Sequence, residues 1–407
     1  MSTSRRTFLR SFAALGAAAA VSPRSLAQTS TTKPLRVVVV GAGAFGGWSA
    51  LMLRRAGAEV TLVDTWGPGN SRASSGGETR VIRQTYGADR FYTELAGRAL
   101  TLWLEHQAIF RERFFARTGA LWMVTGPQDS LVKDALPILR DLGIEHRELS
   151  AEECRKRYPQ IDFDGLRWAL WEPGAGYLLA RQACQAVAEA LVREGGTFLQ
   201  AEARPLFGAG GGLDGAALST GSTLTADAYL FACGPWLGQV FPDVPGARIR
   251  PTRQEVFFFG APAGDSRFGD SSLPVWVEEG AALWYGIPGN RWRGFKVADD
   301  SRGPDFDPTH GERLASKESL AAARALLARR FPALRDAPLL ESRVCQYENS
   351  ADGHFVFDRH PRAENLWLLG GGSGHGFKFG PALGELVATT VLGKRAPEKK
   401  FSLARFG

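Results

Sequence analysis

The sequence has few cysteines, no basic run and no apolar run long enough to span a bilayer. Each shortage narrows the function. The 4 cysteines, Cys154, Cys184, Cys233 and Cys345, are spread over 407 residues at spacings that match no zinc site. Three of them read as small buried residues, and Cys345 is taken up below. The net charge is +7, but Arg5, Arg6, Arg10 and Arg24 supply four of those charges in a terminal stretch without an acid. No element gathers the remaining basic residues, so nucleic acid is not an expected partner. The weakly apolar stretch 11–21 falls far short of the roughly 20 residues of a membrane-spanning helix. There is no internal repeat.

What the first 27 residues do contain is an export signature. Ser4-Arg5-Arg6-Thr7-Phe8-Leu9-Arg10 has twin-arginine form, the apolar stretch follows, and Ser25-Leu26-Ala27 offers small residues to a peptidase. Residues 1–27 are therefore expected to direct export by the twin-arginine machinery to the periplasm. Residues 28–34 read as a polar tether. This pathway carries folded proteins, often with a cofactor inside, which favours a cofactor enzyme and weakens the case for disulfides.

Hydrophobic content of 44% and charged content of 22% are ordinary for a globular enzyme, and the length calls for more than one core. Residues 35–40 form a continuous β-branched run, the pattern of a strand buried on both faces. Gly41-Ala42-Gly43-Ala44-Phe45-Gly46 follows, then a helix to about Arg55, then a strand from Glu59 that ends at Asp64. A lone GxGxxG is weak, but here strand, turn, helix and acid stand in the order a dinucleotide site needs. Gly41 permits the tight turn, Gly43 lets the backbone approach a pyrophosphate, and Gly46 lets helix and strand close up. The helix start around Ala44 and Phe45 offers N–H groups to phosphate, and Asp64 can accept from ribose hydroxyls. The motif alone does not separate FAD from NAD. A second buried strand ending at Gly234, and the glycines 370–376 before a late helix, suit the longer FAD.

Further along, helices are expected over 91–118, 130–142, 180–194, 317–330 and 381–392. An extended segment is expected over 197–207, a glycine-rich hairpin tip over 208–215, and buried strands over 228–232 and 366–369. Between 248 and 297 the pattern changes to short aromatic-rich strands, the mark of an antiparallel sheet. Cofactor-type and substrate-type segments thus alternate. The expected partition is a cofactor domain from 35–90, 149–236 and 336–400, and a substrate domain from 91–148 and 237–335.

Three further segments carry chemistry: Gly77-Glu78-Thr79-Arg80-Val81-Ile82-Arg83, Gly294-Phe295-Lys296-Val297, and Val344-Cys345-Gln346-Tyr347 with the later Ser373-Gly374-His375-Gly376-Phe377-Lys378-Phe379. In these motifs the chain resembles the monomeric sarcosine oxidase and N-methyltryptophan oxidase family of flavoenzymes, from about Arg36 to Gly393. The resemblance implies an α/β fold, with a glutathione-reductase-type FAD-binding Rossmann domain interleaved with an α+β substrate domain that contains an antiparallel sheet. It implies oxidation of a small secondary amino acid, with oxygen as acceptor and peroxide as product, in a monomer; no residue is an obvious general base, so hydride transfer is the simpler step. It places Cys345 where the family attaches FAD through a thioether, and Lys296 beside the ring, where a cation can stabilise charge on oxygen. Arg83 and Lys378 match the pair that holds the substrate carboxylate. Thr79 and Arg80 fall beside the cofactor, Tyr347 beside the substrate, and Gly374, His375 and Gly376 at a helix start that can stabilise the reduced ring.

Two departures stand out. The stretch Ser74-Ser75-Gly76-Gly77-Glu78 lacks the family's histidine. Asp300 stands where a pocket histidine is usual, four residues after Lys296, and this puts sarcosine itself in doubt. Trp276, Trp284, Tyr285 and Trp292 are candidates to line a larger pocket. Related readings are a dehydrogenase using another acceptor, a flavin-binding partner protein without turnover, and, least in keeping with the motifs, an NAD-dependent dehydrogenase.

Overall fold

Val37, Val38, Val39 and Val40 are almost free of solvent because the strand Arg36–Val40 has neighbours on both edges and cores on both faces. It pairs in parallel with Glu59–Asp64 on one side and Ala228–Phe231 on the other. The sheet has six strands in the order Val356–His360, Ala363–Gly370, Ala228–Phe231, Arg36–Val40, Glu59–Asp64, Thr197–Gln200. Only the first pair is antiparallel. On one face lie the helices Ala44–Arg55, Ala180–Arg193 and Gly380–Val391, whose Trp48, Leu51, Val187, Leu191, Leu383 and Val387 share one core. The computed structural model describes residues 33–244, 246–290 and 293–407, without the side chain of residue 247. The expected export signal, most of the tether and Trp292 lie outside the described residues.

The second large sheet has eight strands in the order Leu339–Ser350, Ile249–Phe259, Phe295–Asp299, Leu283–Ile287, Val275–Glu279, Ala120–Val124, Trp168–Glu172, Arg147–Leu149. All its pairings are antiparallel except Val275–Glu279 with Ala120–Val124. Side chains alternate along a strand. Phe295 and Val297 therefore point to a core shared with Leu326, Leu327 and Phe331 from and after the helix Lys317–Arg330. Lys296 and Ala298 point to the other face, where the polar site lies.

Several elements differ from the sequence reading. The helix expected over 91–118 spans Arg90–Phe110 and stops at Arg111, whose φ of 56° is left-handed. The Gln107 side chain then accepts from the N–H groups of Phe114 and Phe115 and turns the chain into the strand Phe115–Ala116. The helix expected over 130–142 is two pieces, Ser130–Lys133 and Leu136–Asp141. Pro137 lies in the first turn of the second piece, and its ring is incompatible with a helical carbonyl at position 133. Residues 197–207 form two strands in different sheets, Thr197–Gln200 and Ala203–Phe207. Trp168–Glu172 and Leu339–Ser350 fall in segments expected to serve the cofactor domain, yet both pair in the eight-stranded sheet. The twelve-residue strand Leu339–Ser350 was hidden in the sequence because charged residues alternate along its more exposed half.

Gly41 has φ 108°, a left-handed value, and a Cβ there would meet Ala232 O at 2.3 Å. A Cβ at Gly46 would come within 1.9 Å of Gly41 O. Both contacts are with backbone, so neither can be relieved by a rotamer change. Gly46→Ala is expected to lower stability by about 3 kcal/mol or more, seen as a fall in thermal midpoint. An unchanged midpoint would show that helix and strand can separate at no cost.

Candidate functional site

The carboxyl ends of the parallel strands open into a cleft of about 700 Å³. Its walls include Gly41, Gly43, Ala44, Phe45, Asp64 and Gly234 at the strand ends, and Arg80, Tyr347, Gly374 and Gly376 further along. The expected dinucleotide residues are therefore gathered on one surface, at the place where open α/β sheets bind ligands. Asp64 is fixed before any ligand arrives. Its Oδ2 accepts from Ala42 N at 2.8 Å, and its Oδ1 from Trp66 N at 2.9 Å and Gly67 N at 2.8 Å. Ser75, from the stretch that departs from the family pattern, accepts from Ala44 N at 3.0 Å.

Two buried oxygens on the cleft wall, Ser74 Oγ and Glu348 Oε2, have no hydrogen-bond partner. Glu348 Oε1 accepts from Gly372 N at 3.2 Å, and burial pushes its carboxyl up to about 7. Buried polar atoms without partners are rare in folded proteins. Their position here calls for a ligand with hydroxyl or phosphate groups along its length. Glu348 was missed in the sequence, where an acid directly after Tyr347 carries no signal.

Beyond the cleft lies a smaller cavity of about 90 Å³ that shares Arg80, Tyr347, Gly374 and Phe377 with it. Cys345, Lys296, Arg83, Lys378, Asp300 and Tyr285 also line it. Strand alternation explains part of this set. Cys345 and Tyr347 are two residues apart, and Lys296 and Asp300 four, so each pair shares a face. Arg80 Nη2 lies 3.5 Å from Cys345 Sγ. All four cysteines are free thiols. Burial pushes Cys154 up to about 11 and Cys184 up to about 12, as befits inert core thiols.

Thr79 does not line the cleft. Its carbonyl accepts from Lys296 Nζ at 3.2 Å and Arg80 Nη1 at 2.8 Å, so it positions two cations. Lys296 is only 3% exposed. Burial, reinforced by Arg80, brings its ammonium down to about 7. An anion beside it would restore the charge.

Lys378 is 4% exposed and donates to Tyr86 Oη and His375 O, both at 2.8 Å. Burial, with Arg83 adding to it, holds Lys378 well below the usual lysine range. The Arg83 guanidinium stacks 4.1 Å from the Tyr86 ring and 4.9 Å from Trp122. Among the described residues neither Arg83 nor Lys378 forms an ion pair. Two basic side chains on one small cavity, neither of them in an ion pair with the Asp300 that also lines it, suit an anionic ligand. Tyr86, Trp122 and Glu172 were not singled out in the sequence. Glu172 is buried and accepts from Gln84 N at 2.6 Å and Thr85 Oγ1 at 2.8 Å, which fixes the loop carrying Arg83.

His375 is not at the start of the last α-helix. A short 3₁₀ turn, Phe377–Phe379, intervenes, and His375 N donates to Gly372 O at 2.9 Å. Its ring Nε2 is 3.0 Å from Gly353 O, so that nitrogen carries the proton. Burial and Lys378 take the ring down to about 3, leaving it neutral. Gly374 has φ 79°, and a Cβ there would lie 2.7 Å from the Tyr347 ring. Trp276 belongs to the core beside Phe295 and Phe331, whereas Tyr285 faces the cavity.

Residues 36–390 match the family model described as FAD dependent oxidoreductase. The chain belongs to that family. It is 30% identical to monomeric sarcosine oxidase from Bacillus sp. (strain NS-129), over 86% of this chain and 91% of that protein. It is 29% identical to N-methyl-L-tryptophan oxidase from Salmonella heidelberg (strain SL476), over 88% of this chain and 95% of that protein. L-proline dehydrogenase from P. horikoshii has the same fold, with a TM-score of 0.80 at 20% identity, covering 92% of this chain and 98% of the other. So does fructosamine oxidase from Aspergillus fumigatus, with a TM-score of 0.77 at 24% identity over 92% and 90%. The expected α/β fold with antiparallel sheets is thus present, and the cofactor of this oxidoreductase family is FAD. The long cleft, its glycine turn and its two unpartnered oxygens fit that cofactor.

Proposed function

We propose that the protein is an oxidase of small secondary amino acids, N-methyl or cyclic, that carries FAD covalently on Cys345 and acts as an exported monomer. The observation that carries the reading is the meeting of Cys345, Lys296, Arg83 and Lys378 around one cavity continuous with the nucleotide cleft. When bound, FAD supplies the acceptor for two electrons from the carbon next to nitrogen and passes them on to oxygen.

In this reading the 41–46 turn holds the pyrophosphate, Asp64 the adenosine ribose, and Glu348 and Ser74 hydroxyl groups of the cofactor chain. Arg80 Nη2 lies 3.5 Å from the Cys345 sulfur, the atom that would form the thioether. Arg83 and Lys378 bind the substrate carboxylate, and Tyr86 orients both by stacking on one and accepting from the other. Lys296 holds a positive charge where oxygen is reduced. The small cavity limits the size of the amine, and the relatives named for sarcosine and N-methyl-L-tryptophan support a secondary amine. The twin-arginine sequence supports export.

The test is to supply N-methyl and cyclic amino acids to the purified protein under air. Oxygen uptake matched by peroxide is expected with at least one. Bleaching of the flavin by a substrate that yields no peroxide would make the protein a dehydrogenase with another acceptor.

A further inference from the structure

We propose that Asp300 receives the substrate's nitrogen, so that the cavity selects a zwitterion: carboxylate on Arg83 and Lys378, cationic N–H on Asp300. This rests on the reading of the small cavity as the substrate site. Asp300 lines that cavity together with both cations. Its Oδ1 accepts from the Tyr347 hydroxyl at 2.5 Å, which fixes the carboxylate. Its Oδ2 has no hydrogen-bond partner among the described residues.

Other charged and titratable groups face Asp300 from each neighbouring element. Tyr347 and Tyr285 come from other strands of the sheet, Lys296 and Asp299 from its own strand or its edge, and Arg83, Tyr86 and Lys378 from the opposite side. A pocket of cations alone would take any small carboxylate. An acid among them repels a plain carboxylate and rewards a ligand that also carries a positive nitrogen.

The same contact supplies a route for the proton that must leave before nitrogen can release its electrons. The proton moves from the ammonium to Asp300 Oδ2. One N–H bond breaks, one O–H bond forms, and no electrons change hands. The products are a neutral amine with its lone pair free and a neutral carboxylic acid. Burial favours that neutral form of Asp300.

The experiment is anaerobic calorimetry on the flavin-loaded protein with two probes, glycine and acetate, for the parent, Asp300→Asn, Asp300→Glu and Arg83→Ala. The parent should bind glycine about tenfold or more tighter than acetate, a charge-assisted hydrogen bond's worth of discrimination. Asp300→Asn should erase or reverse that preference, and Asp300→Glu should keep part of it. Arg83→Ala should weaken both probes. Equal flavin content across variants controls for folding. As a second readout, the pH dependence of the anaerobic rate of flavin reduction by a secondary amino acid that the enzyme oxidises should move to higher pH in Asp300→Asn. If Arg83→Ala weakens both probes but Asp300→Asn discriminates as the parent does, the role of Asp300 is overturned and the site reading stands. If neither probe depends on Arg83, the site reading itself is overturned.

Discussion

Lys296→Met should slow reoxidation of the reduced enzyme by oxygen about 100-fold or more, while leaving anaerobic reduction by substrate within about threefold of the parent. The size follows from what one preorganised charge is worth in a water-excluded site, a factor of about 10²–10³ in rate. The selectivity follows from position. Lys296 is held by Thr79 O and senses Arg80 and Cys345, whereas Lys378 senses Arg83 and Glu172. The two lysines stand in different electrostatic surroundings, with Asp300 common to both. Methionine keeps most of the unbranched side chain's packing and removes the charge together with the hydrogen bond to Thr79 O. Stopped-flow measurement of each half-reaction separates the outcomes. A fall in the reductive rate equal to the fall in the oxidative rate would remove Lys296 from the oxygen step.

Arg83→Ala should do the reverse. The reductive half-reaction at low substrate should fall by about 10²–10³-fold, since losing one partner of a buried charge contact costs about 2–5 kcal/mol. Reoxidation should stay within about threefold. Lysine at this position should restore little. The guanidinium offers a planar fork to a carboxylate and stacks on Tyr86 and Trp122, and an ammonium does neither. Unchanged kcat/KM in Arg83→Ala would mean that the carboxylate is held elsewhere, or that the substrate has none.

Much of the site was legible because its chemistry is written in local motifs. The glycine turn needs its residues adjacent to the strand and helix that use them, so 41–46 and Asp64 could be read from order alone. Lys296, Asp300, Cys345 and Tyr347 could be singled out from their motifs, although the shared strand faces of each pair emerged only from the structure. What could not be read is the support. Glu172 reaches the Arg83 loop from a strand nearly ninety residues away in sequence. Tyr86 and Trp122 look like any core aromatic until Arg83 is seen stacked between them. Element ends failed for local reasons too weak to weigh in advance: one left-handed Arg111, one proline in a short helix, and a strand whose outer half alternates with charge. The helix start expected at His375 failed because a 3₁₀ turn absorbs the residues before Gly380.

The most direct single measurement is the absorbance and intact mass of the purified protein after acid precipitation and washing. If a flavin ring is anchored to sulfur beside Arg80, the pellet stays yellow, and its mass exceeds that of the polypeptide by one FAD. Cys345→Ser then gives a white pellet and a yellow supernatant. A white pellet from the parent protein, with all colour in the wash, would contradict the tether and require a new account of why Cys345 faces the cavity.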